Sequence, residues 1–73
     1  MELPERLAHL VPHWIEHNES HAQQFEEKAK DAQAAGLVEV AGRIEAAARL
    51  MREANEELKQ AQRGLPQADS AHH

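Results

Sequence analysis

The stretch Asp31–Val40 reads DAQAAGLVEV and ends one helical pattern before it starts another. Gly36 is typical of the left-handed residue that follows the last turn of a helix, and Leu37 of the apolar residue that closes such a cap. The sequence therefore predicts that a first helix stops at Gly36 and that a second begins at Leu37 or Val38. Two long helices joined by so short a turn must run antiparallel, so the expected fold is an all-α, two-helix hairpin.

The segments on either side of this turn both have helical periodicity, with apolar residues at steps of three and four. The stripe before the turn consists of Ile15, Asn18, Ala22, Phe25, Ala29 and Ala32. The seam after the turn consists of Val40, Ile44, Ala47, Met51, Ala54, Leu58 and Ala61, flanked by Leu37, Ala41, Ala48 and Asn55. Charged residues on the outer face form four-residue pairs such as Arg52/Glu56. Helices are therefore expected over about residues 12–35 and 37–63.

Pro12 decides where the first helix is expected to begin. It has no N–H and disfavours helical geometry in Val11. We therefore expect one short helical turn near residues 4–10 and a new helix from Pro12, with a single kinked helix as the alternative.

Length limits the chain to one small domain. Of 73 residues, 1–65 are expected to form the hairpin and 66–73 a disordered tail. Trp14 and Phe25 are the only large aromatic residues, and cores of this size are marginal alone. We expect a second copy to cover the remaining apolar surface and to give a homodimeric four-helix bundle, although an unidentified protein partner would serve the same purpose.

Composition excludes several classes of function and partner. Thirteen acidic and eight basic residues give a net charge of −5, which repels nucleic-acid phosphates. The absence of cysteine excludes disulfides and thiolate metal sites. The N-terminus lacks a secretory signal, and no run approaches the roughly 18 apolar residues that a membrane span needs. We therefore expect a soluble, cytoplasmic protein that binds neither nucleic acid nor membrane.

Four of the six histidines occur in the stretch His9–His21, which reads HLVPHWIEHNESH. Residues four apart on a helix lie on nearly the same face, so His13, His17 and His21 form a column of imidazoles. At about 100° per residue, His21 is expected to be partly buried beside the apolar stripe, His17 to be marginal and His13 to be exposed.

The predicted antiparallel register brings Glu53 and Glu56 to the height of the histidine column. Imidazole nitrogen and carboxylate oxygen are ligands for Zn²⁺, Ni²⁺ and Fe²⁺. His17 and His21 with one of these glutamates are therefore candidate metal ligands, and His13 is a more exposed contributor. The alternative is a solvated histidine face without a metal.

Asn18 and Asn55 break the two apolar patterns and, in the predicted register, lie close to each other and to the histidines. A buried amide costs stability unless it is hydrogen-bonded. One interpretation is that the pair sets register and oligomeric state, as a polar residue at a coiled-coil core position does. The other is that the pair orients the histidines around a metal.

The string HWIEHNESHA at residues 13–22, together with Phe25, Gly36 and ANEEL at residues 54–58, resembles a family of small, uncharacterised prokaryotic helical-hairpin proteins. The likeness covers about residues 10–62. It implies an association with metal handling, nickel in particular, and carries no implication of an enzymatic activity. The positions that it marks are His13, His17 and His21.

Signatures of catalysis are absent, including the E-x-x-H of di-iron bundles and the zincin H-E-x-x-H. A general base such as His21 would need a concave pocket, which two slim helices rarely form. The leading hypothesis is therefore a non-enzymatic, histidine-rich homodimer that binds one divalent transition metal (Ni, Zn or Fe). The alternative is an interaction or dimerisation module without a metal, in which the histidines and asparagines set register.

Overall fold

The computed structural model describes residues 2–66 and consists of two α-helices. Helix α1 spans Leu3–Ala34 and helix α2 spans Val38–Arg63. The helices pack against each other in a body of 50 × 20 × 18 Å, which confirms the predicted all-helical hairpin. The expected disordered tail lies, from Gln67 onward, outside the described residues. Within the described part, neither helix combines the length and the apolar character needed to cross a membrane.

The connection between the helices is a Schellman turn at the place that the sequence predicts. Gly36 has a φ of 83°, and its N–H donates to the carbonyl of Gln33 at 3.0 Å. The N–H of Leu37 donates to the carbonyl of Ala32 at 2.9 Å. A residue with a Cβ would pay about 1 kcal/mol or more for this left-handed conformation. Glycine at this position is therefore what allows the chain to reverse.

Helix α1 begins at Leu3, not at Pro12, and continues through this proline. Pro12 leaves the carbonyl of Ala8 without its helical donor, a defect that costs about 3 kcal/mol or more inside a helix. Ala8 and Val11 are nevertheless nearly fully buried, at 4% and 3% exposure, and α2 is the other element available to cover them. Burial of the first turns against α2 outweighs the local defect. The expectation of a separate short turn near residues 4–10 is corrected accordingly.

The buried line of α2 is rotated from the predicted seam. Its fully buried members are seven residues apart, and they are Ala41, Ala48 and Asn55. Val40 and Ala54, which the sequence placed in the seam, are exposed. Both lines share the larger side chains Ile44, Met51 and Leu58, so the heptad period alone does not choose between them. Three of the four predicted flanking residues thus form the centre of the contact, whereas the fourth, Leu37, is 53% exposed.

One buried polar side chain explains this rotation. Asn55 is 3% exposed, and its Oδ1 accepts a hydrogen bond from Nδ2 of Asn18 at 3.0 Å. The Nδ2 of Asn55 donates to the carbonyl of Ile15 at 3.1 Å. No buried side-chain nitrogen or oxygen in residues 2–66 lacks a partner. The two asparagines bond to each other and to main chain, which favours the register interpretation.

We expect alanine substitution at two glycines to have opposite effects. Gly36→Ala places a Cβ on a left-handed residue and should lower the free energy of unfolding by about 1 kcal/mol. Gly42 is exposed within α2, and a Cβ there meets no atom within 4 Å. Gly42→Ala should therefore raise the free energy of unfolding by about 0.5–1 kcal/mol. Urea denaturation at fixed protein concentration measures both, and a destabilising Gly42→Ala would contradict the open environment of this residue.

The costs of removing the two hydrogen-bonded amides, Asn18 and Asn55, should not be additive. Asn55→Ala is expected to cost about 1–3 kcal/mol, because it leaves the amide of Asn18 without its partner. The double variant Asn18→Ala/Asn55→Ala should cost less than the sum of the single substitutions. Gln24→Ala, at an exposed position of α1, is the control and should stay within about 0.5 kcal/mol of the wild type. Additive single costs in denaturant melts would argue against the coupling.

Candidate functional site

The histidine column follows one side of α1. The ring centroids of His13 and His17 are 6.3 Å apart with nearly parallel planes, and those of His17 and His21 are 4.5 Å apart and edge-on. His21 is half buried, with its ring 6.1 Å from that of Phe25, whereas His13 and His17 are exposed. Only His21 is thus partly buried, as expected, whereas His17, expected to be marginal, is exposed. His17 and His21 are the closest pair of the column.

Glu53 and Glu56 lie in a different part of the molecule from this pair. They line an open groove between the helices together with Glu26, Lys30, Glu45, Arg49 and Arg52. His17 and Glu26 are nine residues apart, or about two and a half turns, so they lie on opposite sides of α1. Within residues 2–66, no three or more histidine, aspartate or glutamate side chains are grouped so that they could hold a metal ion. One hairpin thus presents His17 and His21 as a pair.

Arg52 is the centre of the charged groove. Its Nε and Nη2 donate to Oε2 of Glu19 at 3.2 and 3.0 Å, and its Nη1 donates to Oε2 of Glu26. One guanidinium thus joins α2 to two carboxylates that lie about two turns apart on α1. The sequence pattern paired Arg52 with Glu56, which instead contacts Lys59 at 3.3 Å. The sequence feature that could have predicted these contacts is the seven-residue spacing of Glu19 and Glu26, which places both carboxylates on the same side of α1.

These contacts shift the pKa values of both Glu26 and Arg52. The hydrogen bond from Arg52, more than its charge, lowers the pKa of Glu26 below its ordinary value. Hydrogen bonds to Glu26 and Glu19 in turn raise the pKa of Arg52. A carboxylate whose pKa is lowered by folding adds stability above its unfolded-state pKa and loses that contribution as the pH falls through its folded-state pKa.

The pH dependence of unfolding should therefore contain a contribution from Glu26. Below about pH 4.3, the ordinary glutamate pKa, wild-type stability should fall more steeply than that of Glu26→Gln. The difference should shrink in concentrated NaCl because these side chains are partly exposed, at 37% for Arg52 and 44% for Glu26. Thermal melts from pH 3 to pH 7 measure the effect. Glu27→Gln, an exposed neighbour, is the control and should keep the wild-type profile.

Comparison with known proteins identifies relatives of this chain. A model of the family described as "Domain of unknown function (DUF8180)" matches residues 7–65. An uncharacterized protein of Archaeoglobus fulgidus is 40% identical over 57 residues, which cover 78% of this chain and 90% of that relative. These descriptions carry neither the histidine motif nor a metal association, and no solved structure matches the chain significantly. Because the family model spans most of the chain, the protein belongs to the DUF8180 family.

Proposed function

We propose that the chain is a non-enzymatic interaction module in which two hairpins associate into a four-helix bundle. The observation that carries the proposal is the small core of one hairpin. Its buried apolar residues in the described part are five alanines and one valine, and no large side chain is fully buried. Alanine burial contributes little apolar area per residue. A single hairpin therefore leaves most of its larger apolar side chains in contact with water.

These side chains are concentrated on one side of the hairpin. Arg52 with Glu19 and Glu26 marks one edge of the helix contact, and the opposite edge is apolar. We name this edge and its surroundings the open face, formed by Leu10, Trp14 and Phe25 of α1 with Val40, Ala47, Met51 and Leu58 of α2. Leu10, Trp14 and Val40 are 43%, 41% and 49% exposed. Exposed apolar side chains that cluster in this way are typical of a protein–protein contact.

The dimensions of the open face suit a second copy of the same chain. The hairpin is 50 Å long and about 20 Å wide. A stable interface buries about 800 Å² on each partner, which a face of this size supplies. A two-fold arrangement uses the same surface on both partners and closes on itself. Two open faces together would enclose Trp14 and Phe25 in one core.

Sedimentation equilibrium tests this proposal. Wild-type protein is expected to be dimeric at submillimolar concentration and to remain so in concentrated NaCl, because the contact is apolar. Trp14→Glu/Val40→Glu should raise the dimer dissociation constant about thirtyfold or more, since it buries charge at two contact positions. Leu50→Glu is the matched control, because Leu50 is 61% exposed on the outer side of α2. Dilution of the dimer should also shift the fluorescence of Trp14, the single tryptophan.

A monomeric wild type would contradict the proposal and would direct the search to a different protein partner. A monomer produced equally by Leu50→Glu would also contradict it, because the open face would then not be the contact.

A second candidate function is the binding of one divalent transition metal, Ni²⁺, Zn²⁺ or Fe²⁺. The observation in its favour is the 4.5 Å separation of the His17 and His21 rings on consecutive turns of α1. Two histidines at this spacing on one helical face form a recurrent metal-binding pair. His13, with its ring 6.3 Å from that of His17, is a more exposed contributor. A pair supplies two of the four ligands that a tetrahedral ion takes.

A further inference from the structure

The His17–His21 pair borders the open face, and its position points to a site shared between copies. We infer that two copies of the chain bind one divalent transition-metal ion between them, with His17 and His21 of each copy as the four ligands. This inference rests on the proposed self-association, and it adds a ligand, a stoichiometry and a means of regulating assembly.

The two imidazoles are positioned so that both can bind the same metal ion. They sit one turn apart on a helix that continues for more than two turns on both sides of them, so their backbone positions are rigid. Their ring centroids are 4.5 Å apart, and His21 is half buried against the hairpin while His17 is exposed. Neutral imidazole nitrogen is a good ligand for zinc, nickel and copper.

One hairpin does not complete such a site from its described residues. Residues 2–66 contain no group of three or more side chains able to hold a metal ion. The charged groove lies on the other side of α1 from the histidine pair. Glu26, which lines it, is about two and a half turns from His17, and a half turn places two residues on opposite sides of a helix. The remaining ligands therefore lie outside residues 2–66 of one hairpin. A second copy seated on the open face is adjacent to the pair.

The position of the pair along α1 supports a two-fold site. Helix α1 spans Leu3–Ala34, so its midpoint falls between His17 and His21. When two α1 helices pack antiparallel about a two-fold axis with full overlap, residues at the midpoint face the same residues of the other copy. The two histidine pairs then meet at one level, on the side where Leu10 and Trp14 are exposed. Four imidazole nitrogens at one point match the tetrahedral preference of Zn²⁺.

A shared ion couples metal binding to assembly. An ion that binds the dimer with four ligands and the monomer with two stabilises the dimer by mass action. The coupling is reciprocal, so dimerisation also raises the affinity for the ion. Metal supply would then regulate the concentration at which the hairpins associate.

Isothermal titration calorimetry measures the binding of Zn²⁺, and separately of Ni²⁺, to metal-free protein that carries all 73 residues. Sedimentation velocity then measures the mass of the protein with and without each ion. The expected stoichiometry is one ion per two chains, with the dimer dissociation constant lowered about tenfold or more. His17→Gln/His21→Gln should lose both effects, and the single His17→Gln variant, altered at an exposed position, should weaken both. The single His9→Gln variant is the matched control for His17→Gln, altered at an exposed position about two turns earlier on α1, and should retain both.

Each contrary result identifies what is wrong. One ion per chain with unchanged mass overturns the shared site, and equal losses in His9→Gln and His17→Gln overturn the choice of ligands. All variants keep His72 and His73, so binding that survives in His17→Gln/His21→Gln also overturns it. A stable dimer that takes up no metal overturns this inference and leaves the proposed self-association standing. A monomer at every metal concentration contradicts both.

Discussion

The arrangement of the two helices depends on the hydrogen bonds of one buried amide. Asn55 accepts from Asn18 and donates to the carbonyl of Ile15 in a contact otherwise lined by alanine. Alanine surfaces are small and similar to one another, so they allow helices to slide and rotate at little cost. The amide does not, because a register or rotation that buried it without these partners would cost about 1–3 kcal/mol. The pair therefore selects one packing among several that the apolar pattern permits, as polar core residues do in coiled coils.

This rotation gives the hairpin two different edges. On one, the Arg52 guanidinium bridges to Glu19 and Glu26, and the edge is hydrophilic and internally paired. On the other, Trp14 and its apolar neighbours stay exposed beside the histidine column. A core made of alanine and valine cannot enclose these larger side chains, so the edge that lacks charge is the one suited to a partner. Self-association and metal binding are proposed for the same edge because one geometric choice created both surfaces.

The local features of the fold were accessible from sequence. The left-handed residue at Gly36, the end of α2 at Arg63 and the helical periodicity follow from short-range rules. So does the meeting of Asn18 with Asn55, since the turn sets the antiparallel register. Pro12 was different, because the local cost of a proline predicts a break whereas burial of Ala8 and Val11 keeps α1 continuous. Only the packed structure shows which of these two opposing effects is larger.

The candidate site likewise has some features that follow from the sequence and others that depend on how the helices pack. Two features of the histidine column depend only on spacing along α1 and could be predicted: the imidazoles lie on one side of the helix, and His21 is more buried than His13. Which carboxylates share that side was decided by tertiary structure. The seam and flank of α2 are both rich in small apolar residues, so a heptad pattern leaves the rotation of the helix open, and Glu53 and Glu56 move with it to the charged groove. The physical reason is that periodicity defines a face only where its residues differ in size or polarity, and in α2 that difference came from a single asparagine.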